Sequence, residues 1–266
     1  SSPSQVRLGS FEEGFDRGLI QMLGPEADKA YLDAVLAQSV RKPADNIKIV
    51  YTPLHGSGLV PVRAALGGLG FKQVVVVSEQ EAPDGSFPTV SSPNPEEPAS
   101  LGLGIGYFER EKADLLLATD PDCDRVGIAV KGTDGKPVLL NGNQIGALLI
   151  DYVLTALAEK KRLKPGKSTV LKSIVTSDLH REICAAFGVD CVEVLTGFKY
   201  VGEWIEKHPD KDFVFATEES YGYLRGTYCR DKDGVLACAL IAEMAAHYKA
   251  AGTSVYGRLE ELYKRY

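Results

Sequence analysis

Short apolar runs alternate with segments of helical spacing along most of this 266-residue chain, and the alternation starts twice. Apolar runs at 47–51, 74–77, 115–118 and 126–130 predict strands, the second of them buried, with helices between them over 59–69 and 99–112. Ahead of them, residues 11–40 carry Leu19, Ile20 and Leu23, then Tyr31, Leu32, Val35 and Leu36 at helical spacing, closed by Pro43 and Asp45-Asn46. Thr133-Asp134-Gly135-Lys136 has hairpin-turn chemistry. Asn141 then opens the pattern afresh as a helix cap, followed by apolar Ile145, Leu148, Leu149, Tyr152, Val153 and Leu157. Strands over 169–175, 189–195 and 213–216 alternate with helices over 178–187 and 200–206, and helices over 235–248 and 254–266 follow. Strand–helix alternation of this kind builds α/β layers with mainly parallel pairing. The repeat and the length predict two α/β domains of similar size, 1–140 and 141–266.

Composition removes several classes of function. The formal net charge is −6 and no Lys/Arg block or basic face appears, which argues against nucleic acid as the main partner. Five cysteines without a C-x-x-C pair argue against a disulfide framework and a structural zinc site, and point to a reducing, cytoplasmic setting. No apolar stretch approaches ~20 residues and the start lacks a signal-peptide pattern, so neither a membrane span nor export is expected. The opening Ser1-Ser2-Pro3-Ser4 reads as a cut edge.

The chemistry concentrates at 120–125. Asp120-Pro121-Asp122-Cys123-Asp124-Arg125 places three carboxylates at alternating positions directly after an apolar strand. Close carboxylates repel one another, and a hard divalent cation with oxygen ligands removes that repulsion. Mg²⁺ is commonly held by a few carboxylates together with substrate phosphate. Arg125 adds a cationic fork suited to phosphate. An EF-hand is excluded: its sixth and twelfth positions, Gly and Glu, are Arg125 and Lys131 here, and a strand rather than a helix precedes the loop. A solvated acidic turn is the alternative reading.

In open α/β sheets ligands gather beyond the carboxyl ends of strands, so each strand-end loop has two readings. The glycine-rich 51–58 loop could hold an anion at a helix N-terminus, or His55 could merely fix its shape. Thr196-Gly197-Phe198-Lys199 offers close backbone approach at Gly197 and a point charge at Lys199, or is a turn with a core aromatic. Glu218 and Ser220 can hydrogen-bond sugar hydroxyls. Arg230 and Lys232 stand before a helix N-terminus where an anion is favoured, or else form a helix-entry turn capped by Asp233. Together, one metal loop, one polyol loop and two cationic loops describe a sugar-phosphate site.

From about Asn46 onward the chain resembles the α-D-phosphohexomutase superfamily of phosphoglucomutases and phosphomannomutases. The resemblance is carried by Tyr-Thr-Pro-Leu-His-Gly-Ser-Gly at 51–58, Asp-Gly-Ser-Phe-Pro at 84–88 and the acidic loop at 120–125. Thr-Gly-Phe-Lys at 196–199, Glu-Glu-Ser at 218–220 and Arg-Asp-Lys-Asp-Gly at 230–234 complete it, in order and spacing. The resemblance implies two three-layer α/β domains with mixed, mainly parallel sheets, the second and third of four. It implies Asp120, Asp122 and Asp124 as Mg²⁺ ligands and Arg125 beside the transferring phosphate. Lys232 would be a cation near the reacting oxygen, and Glu218 and Ser220 would contact sugar hydroxyls. Thr196, Gly197 and Lys199 would orient the substrate, with Arg230 among the binding residues.

The activity so implied interconverts hexose 1-phosphate and 6-phosphate, of glucose or mannose, through a phosphoserine and a bisphosphate. Two family motifs are missing from this sequence: the Thr-Ala-Ser-His-Asn-Pro phosphoserine loop and the phosphate-gripping loop of the last domain. The chain alone is therefore expected to be inactive and to need the missing first and last domains. The alternatives are a pentose-phosphate mutase and a non-catalytic sugar-phosphate-binding module.

Overall fold

Two sheets share one strand plan. The computed structural model describes residues 3–266. In the first sheet β1 (Ile49–Thr52), β2 (Val74–Val76) and β3 (Leu115–Thr119) are parallel, and β4 (Val126–Lys131) and β5 (Pro137–Leu140) return antiparallel, in the order β2-β1-β3-β4-β5. The second sheet runs β7-β6-β8-β9, from β6 (Ser168–Ser173), β7 (Asp190–Val194), β8 (Asp212–Glu218) and β9 (Gly222–Leu224). Its first three strands are again parallel and its fourth antiparallel. Both sheets are thus mixed: the second is mainly parallel, and the first divides into two parallel and two antiparallel pairings.

The connecting helices follow the apolar spacing. α3 (Leu59–Gly68) and α4 (Gly102–Arg110) cross over in the first sheet, α6 (Leu179–Ala186) and α7 (Lys199–Lys207) in the second. α5 (Gly142–Glu159) begins in a full capping box, Asn141 accepting from the Gln144 N–H and Gln144 from the Asn141 N–H. β1, β3 and most of β4 are buried residue by residue, as expected of strands covered on both faces.

α8 (Gly234–Ala250) binds the two halves together. It is apolar around its whole circumference and is buried almost throughout. It packs on α3 and on the early helix α2 (Pro25–Leu36), and also on α5, β9 and the last helix α9 (Val255–Arg265). Buried Leu240, Ile241 and Met244 each supply ~1.5–3 kcal/mol of burial. The one acid in that buried face, Glu243, is fully satisfied. It accepts from Ser39 Oγ (2.5 Å), Val40 N (3.1 Å), Arg41 N (2.7 Å) and Tyr152 Oη (2.8 Å).

Three sequence expectations are corrected. The helix over 11–40 is broken: α1 (Phe11–Asp16) and α2 are separate, and Leu19 and Leu23 are exposed rather than on a helix face. Gly18 at φ 68° and the Gly24-Pro25 step end one helix and start the next. Of the valine run at 74–77, Val74–Val76 are only half-buried in β2, because β2 is an edge strand, while Val77 just beyond it is buried. The helix over 99–112 opens instead with a 3₁₀ turn, Pro98–Leu101. Strand β9 has no counterpart among the expected strands.

Candidate active site

β3 delivers the acidic loop at its carboxyl end, and three separate loops pin the loop's backbone. The Ser57 N–H, from the loop after β1, donates to the Pro121 carbonyl at 2.8 Å. The Gly234 N–H, the first residue of α8, donates to the Cys123 carbonyl at 2.9 Å. The Val126 N–H donates to the Tyr221 carbonyl in the β8–β9 hairpin at 3.1 Å. Cys123 is held at φ 61°, a left-handed conformation that L side chains rarely adopt. Such strain persists where surroundings over-determine it, and here both sheets do so.

Within the loop Asp120 is buried and acts as its internal brace. Its Oδ1 accepts from the Asp124 and Arg125 N–H groups (3.1 and 3.0 Å), and its Oδ2 accepts from Arg125 Nε (2.7 Å). Burial pushes the Asp120 carboxyl up to about 6 against the pull of the Arg125 hydrogen bonds, and the charge of Asp124 adds to the rise. Asp122 is exposed and Asp124 is half-buried. One oxygen from each of the three carboxylates lies within 4.8 Å of the others. A cluster of hard, anionic oxygens at that spacing fits a hard divalent cation.

Two cations flank the cluster. Arg125 extends from Asp120 to Glu96, with Nη1 2.9 Å from Oε1, and also reaches Asn94 Oδ1 at 3.4 Å. Lys232 arrives from the other half of the chain, its Nζ 2.8 Å from Asp124 Oδ2. Burial pulls the Lys232 ammonium down, but Asp124 outweighs it and holds the group above its ordinary range. The lysine stem passes over Gly222, where any Cβ would collide with it.

Glu218 ends β8 with its side chain buried, accepting from the Gly197 N–H at 2.7 Å. Gly197 has φ 113°, open only to glycine without strain, so this contact explains both residues of the pair. Burial raises the Glu218 carboxyl, while the Gly197 hydrogen bond and Lys232 oppose the rise. Ser220 is half-buried in the hairpin between β8 and β9, whereas Thr196 and Lys199 are exposed, with Lys199 Nζ over the Tyr200 ring at 5.0 Å.

Not every predicted residue converges. Arg230 turns towards α7, its Nη2 2.6 Å from Glu206 Oε1, so its charge is met there. His55 is buried and hydrogen-bonded to the Ala82 carbonyl (3.2 Å) and Thr89 Oγ1 (2.8 Å), which shapes the 82–89 loop. The 51–58 turn spends Ser57 on Pro121, again a structural task. Asp233 caps α8, accepting from the Leu236 N–H at 2.9 Å. Glu219 accepts from Ser173 Oγ (2.7 Å) and Thr176 Oγ1 (3.0 Å), which fastens the hairpin to the β6 loop. Sequence reasoning missed Asn94 and Glu96; an Asn-Pro-Glu turn carries no signal until the fold sets it beside Arg125.

Comparison with known proteins bears on the fold and the family. The chain is 36% identical over 223 residues to the phosphoglucomutase of Staphylococcus aureus strain USA300, covering 84% of this chain and 40% of that protein. It therefore spans about 40% of the length of the curated relatives it matches. Among solved structures, a Thermus thermophilus protein assigned as a phosphomannomutase superposes with TM-score 0.65 at 25% identity, over 89% of this chain and 48% of that one. Aspergillus fumigatus N-acetylphosphoglucosamine mutase, solved with GlcNAc-6P and magnesium, shares the fold at TM-score 0.55 and 14% identity, over 83% of this chain and 47% of that one. The descriptions "Phosphoglucomutase/phosphomannomutase, alpha/beta/alpha domain II" and "domain III" match residues 29–135 and 141–266. With two mixed sheets on one plan and both domain patterns matched in order, the chain belongs to the phosphoglucomutase/phosphomannomutase family of the α-D-phosphohexomutase superfamily, as its domains II and III.

Proposed function

We propose that this chain is the central part of an Mg²⁺-dependent mutase that moves a phosphoryl group between C1 and C6 of a hexose phosphate. One observation carries the proposal: Lys232 from one half of the chain meets Asp124 of the acidic loop from the other, at 2.8 Å. Glu218, on the adjoining strand, is close enough for Lys232 to influence its ionisation. A cation site, a mobile-proton candidate and a carboxylate suited to hydroxyls therefore share one edge. Relatives aligned over most of this chain are phosphoglucomutases and, in one fold relative, a mutase solved with GlcNAc-6P and magnesium.

In this reading Asp120, Asp122 and Asp124 would hold Mg²⁺, which neutralises charge on a transferring phosphoryl group when bound. Asp120 and Glu96 hold Arg125, whose guanidinium faces the phosphate. Lys232 stabilises the reacting oxygen, or exchanges a proton with it at Nζ. Glu218 and Ser220 accept and donate hydrogen bonds to ring hydroxyls, contacts that serve both orientations of the sugar. Thr196, Gly197 and Lys199 line the approach, and Arg230 would contact substrate only by leaving Glu206. The halves 1–140 and 141–266 would act as the metal domain and the sugar domain. A phosphoserine outside this chain would give its phosphoryl group to the free hydroxyl and regain one from the resulting bisphosphate. A cytoplasmic setting belongs to the same proposal and is supported by five free cysteines.

The test is a substrate panel on the intact protein with hexose and pentose 1-phosphates side by side, and on the 266-residue chain alone. Turnover of hexose phosphate by the intact protein only is expected. Preference for pentose phosphate, or turnover by the chain alone, would overturn the assignment.

A further inference from the structure

At the opposite end of the second sheet lies a cavity of about 350 Å³ whose lining includes Arg225, Lys161, Arg162 and Lys164. Six residue steps of β8 separate Asp212 in its wall from Glu218, which is ~20 Å at 3.3 Å per residue. Four cations against one carboxylate, Asp212, is a sharp local excess in a chain with net charge −6. Asp212 is already committed, to Lys164 Nζ at 2.7 Å and Ser168 Oγ at 2.8 Å.

Arg225 is the informative group. Its side chain is about nine-tenths buried, yet it has only backbone carbonyls as partners: Gln38 O from Nε (3.1 Å) and Val214 O from Nη1 (2.9 Å). Among the described residues no carboxylate pairs with it, and Glu243 nearby is saturated by its own four donors. A buried charge without a counter-charge is costly. Burial, with Arg162 adding repulsion, pulls Arg225 down to about 10 against the weaker, unpaired attraction of Glu243 and Asp212. Lys161 and Arg162 are exposed at the rim and make no ion pair among the described residues.

We propose that this cavity is a second anion site, distinct from the acidic-loop site, that takes a phosphate group. The planar guanidinium of Arg225 is suited to bidentate phosphate recognition, and the rim cations supply point charge. The volume sits at the lower end of that of small-molecule sites and admits either inorganic phosphate or a small phosphate monoester.

Isothermal titration of the 266-residue chain with inorganic phosphate, and separately with glucose 6-phosphate, tests this. The variants are Lys161→Glu combined with Arg162→Glu, which alters only exposed unpaired side chains, and Lys232→Ala as the control for the acidic-loop site. Saturable phosphate binding is expected, weakened at least tenfold by the rim double variant and unchanged by Lys232→Ala. Tighter binding of glucose 6-phosphate in the Lys232→Ala background would identify a monoester as the ligand, and equal or weaker binding would identify free phosphate. No saturable phosphate binding, or binding lost in Lys232→Ala and kept in the rim variant, would overturn the proposal.

Discussion

Lys232 Nζ lies 2.8 Å from Asp124 Oδ2, so a cation from the loop before α8 closes over the acidic loop that ends β3. The two residues are 108 positions apart and meet only because the Gly234 and Val126 N–H groups fasten the loops together. If the proposed mutase chemistry holds, Lys232→Ala lowers kcat of the intact protein by about 10²-fold, the scale of losing one charge-stabilising donor. The pair is part-exposed, so stability should change by only ~0–1 kcal/mol. Steady-state kinetics beside thermal unfolding would separate the two, and an unchanged kcat would remove Lys232 from the chemistry.

Glu218 fixes the 196–199 loop, proposed to orient the sugar, through the Gly197 N–H at 2.7 Å. Glu218→Ala frees that loop and deletes a hydroxyl acceptor, so KM for hexose phosphate should rise about tenfold or more. The lost hydrogen bond should cost ~1–3 kcal/mol, since a charged acceptor is removed. Glu218→Gln retains an acceptor oxygen and should recover most of the stability. Equal denaturation midpoints for wild type and Glu218→Ala would show that the contact does not hold the loop.

His180 is buried, with Nε2 2.9 Å from the Asn143 carbonyl and Nδ1 without a partner. Burial holds its pKa down at about 4, below the ordinary 6.5. The folded state therefore resists a proton that the unfolded chain accepts, so stability is lost as pH falls from 6.5 towards 4. The full window is worth about 3 kcal/mol. His180→Gln, which can still donate to Asn143, should flatten this part of the profile in urea melts at pH 7, 5.5 and 4.5. An unaltered slope would assign the acid sensitivity elsewhere.

Much of this fold was legible because buried strands are nearly continuous apolar runs. β1, β3 and the Phe213–Ala216 run of β8 stand out, and the Asn141 cap marks α5, whereas β6 carries only Val170-Leu171 among polar residues that are buried all the same. β9 was not legible: Gly222–Leu224 is three residues long, too short for any period, and is a strand only by pairing with β8. Leu19 and Leu23 mislead because helical spacing alone does not reveal that both side chains stay exposed, while Ile20 beside them is half-buried. At the site, Asp120, Asp122, Asp124, Lys232, Glu218 and Gly197 were readable as types at strand ends. The brace of Asn94 and Glu96 on Arg125, the pairing of Arg230 with Glu206 and the isolation of Arg225 depend on tertiary contacts that no local pattern encodes.

The proposed divalent-cation site is the loop 120–125. Asp122 tests it cleanly, being exposed and making no hydrogen bond or ion pair among the described residues, so Asp122→Ala should leave stability within ~0.5 kcal/mol. Mn²⁺, which shares the oxygen preference of Mg²⁺, can be counted by electron paramagnetic resonance on the 266-residue chain. One weakly bound ion per chain, displaced by Mg²⁺ and lost in Asp122→Ala at unchanged melting temperature, is the predicted result. Binding of equal strength in wild type and Asp122→Ala, or none in either, would contradict the account.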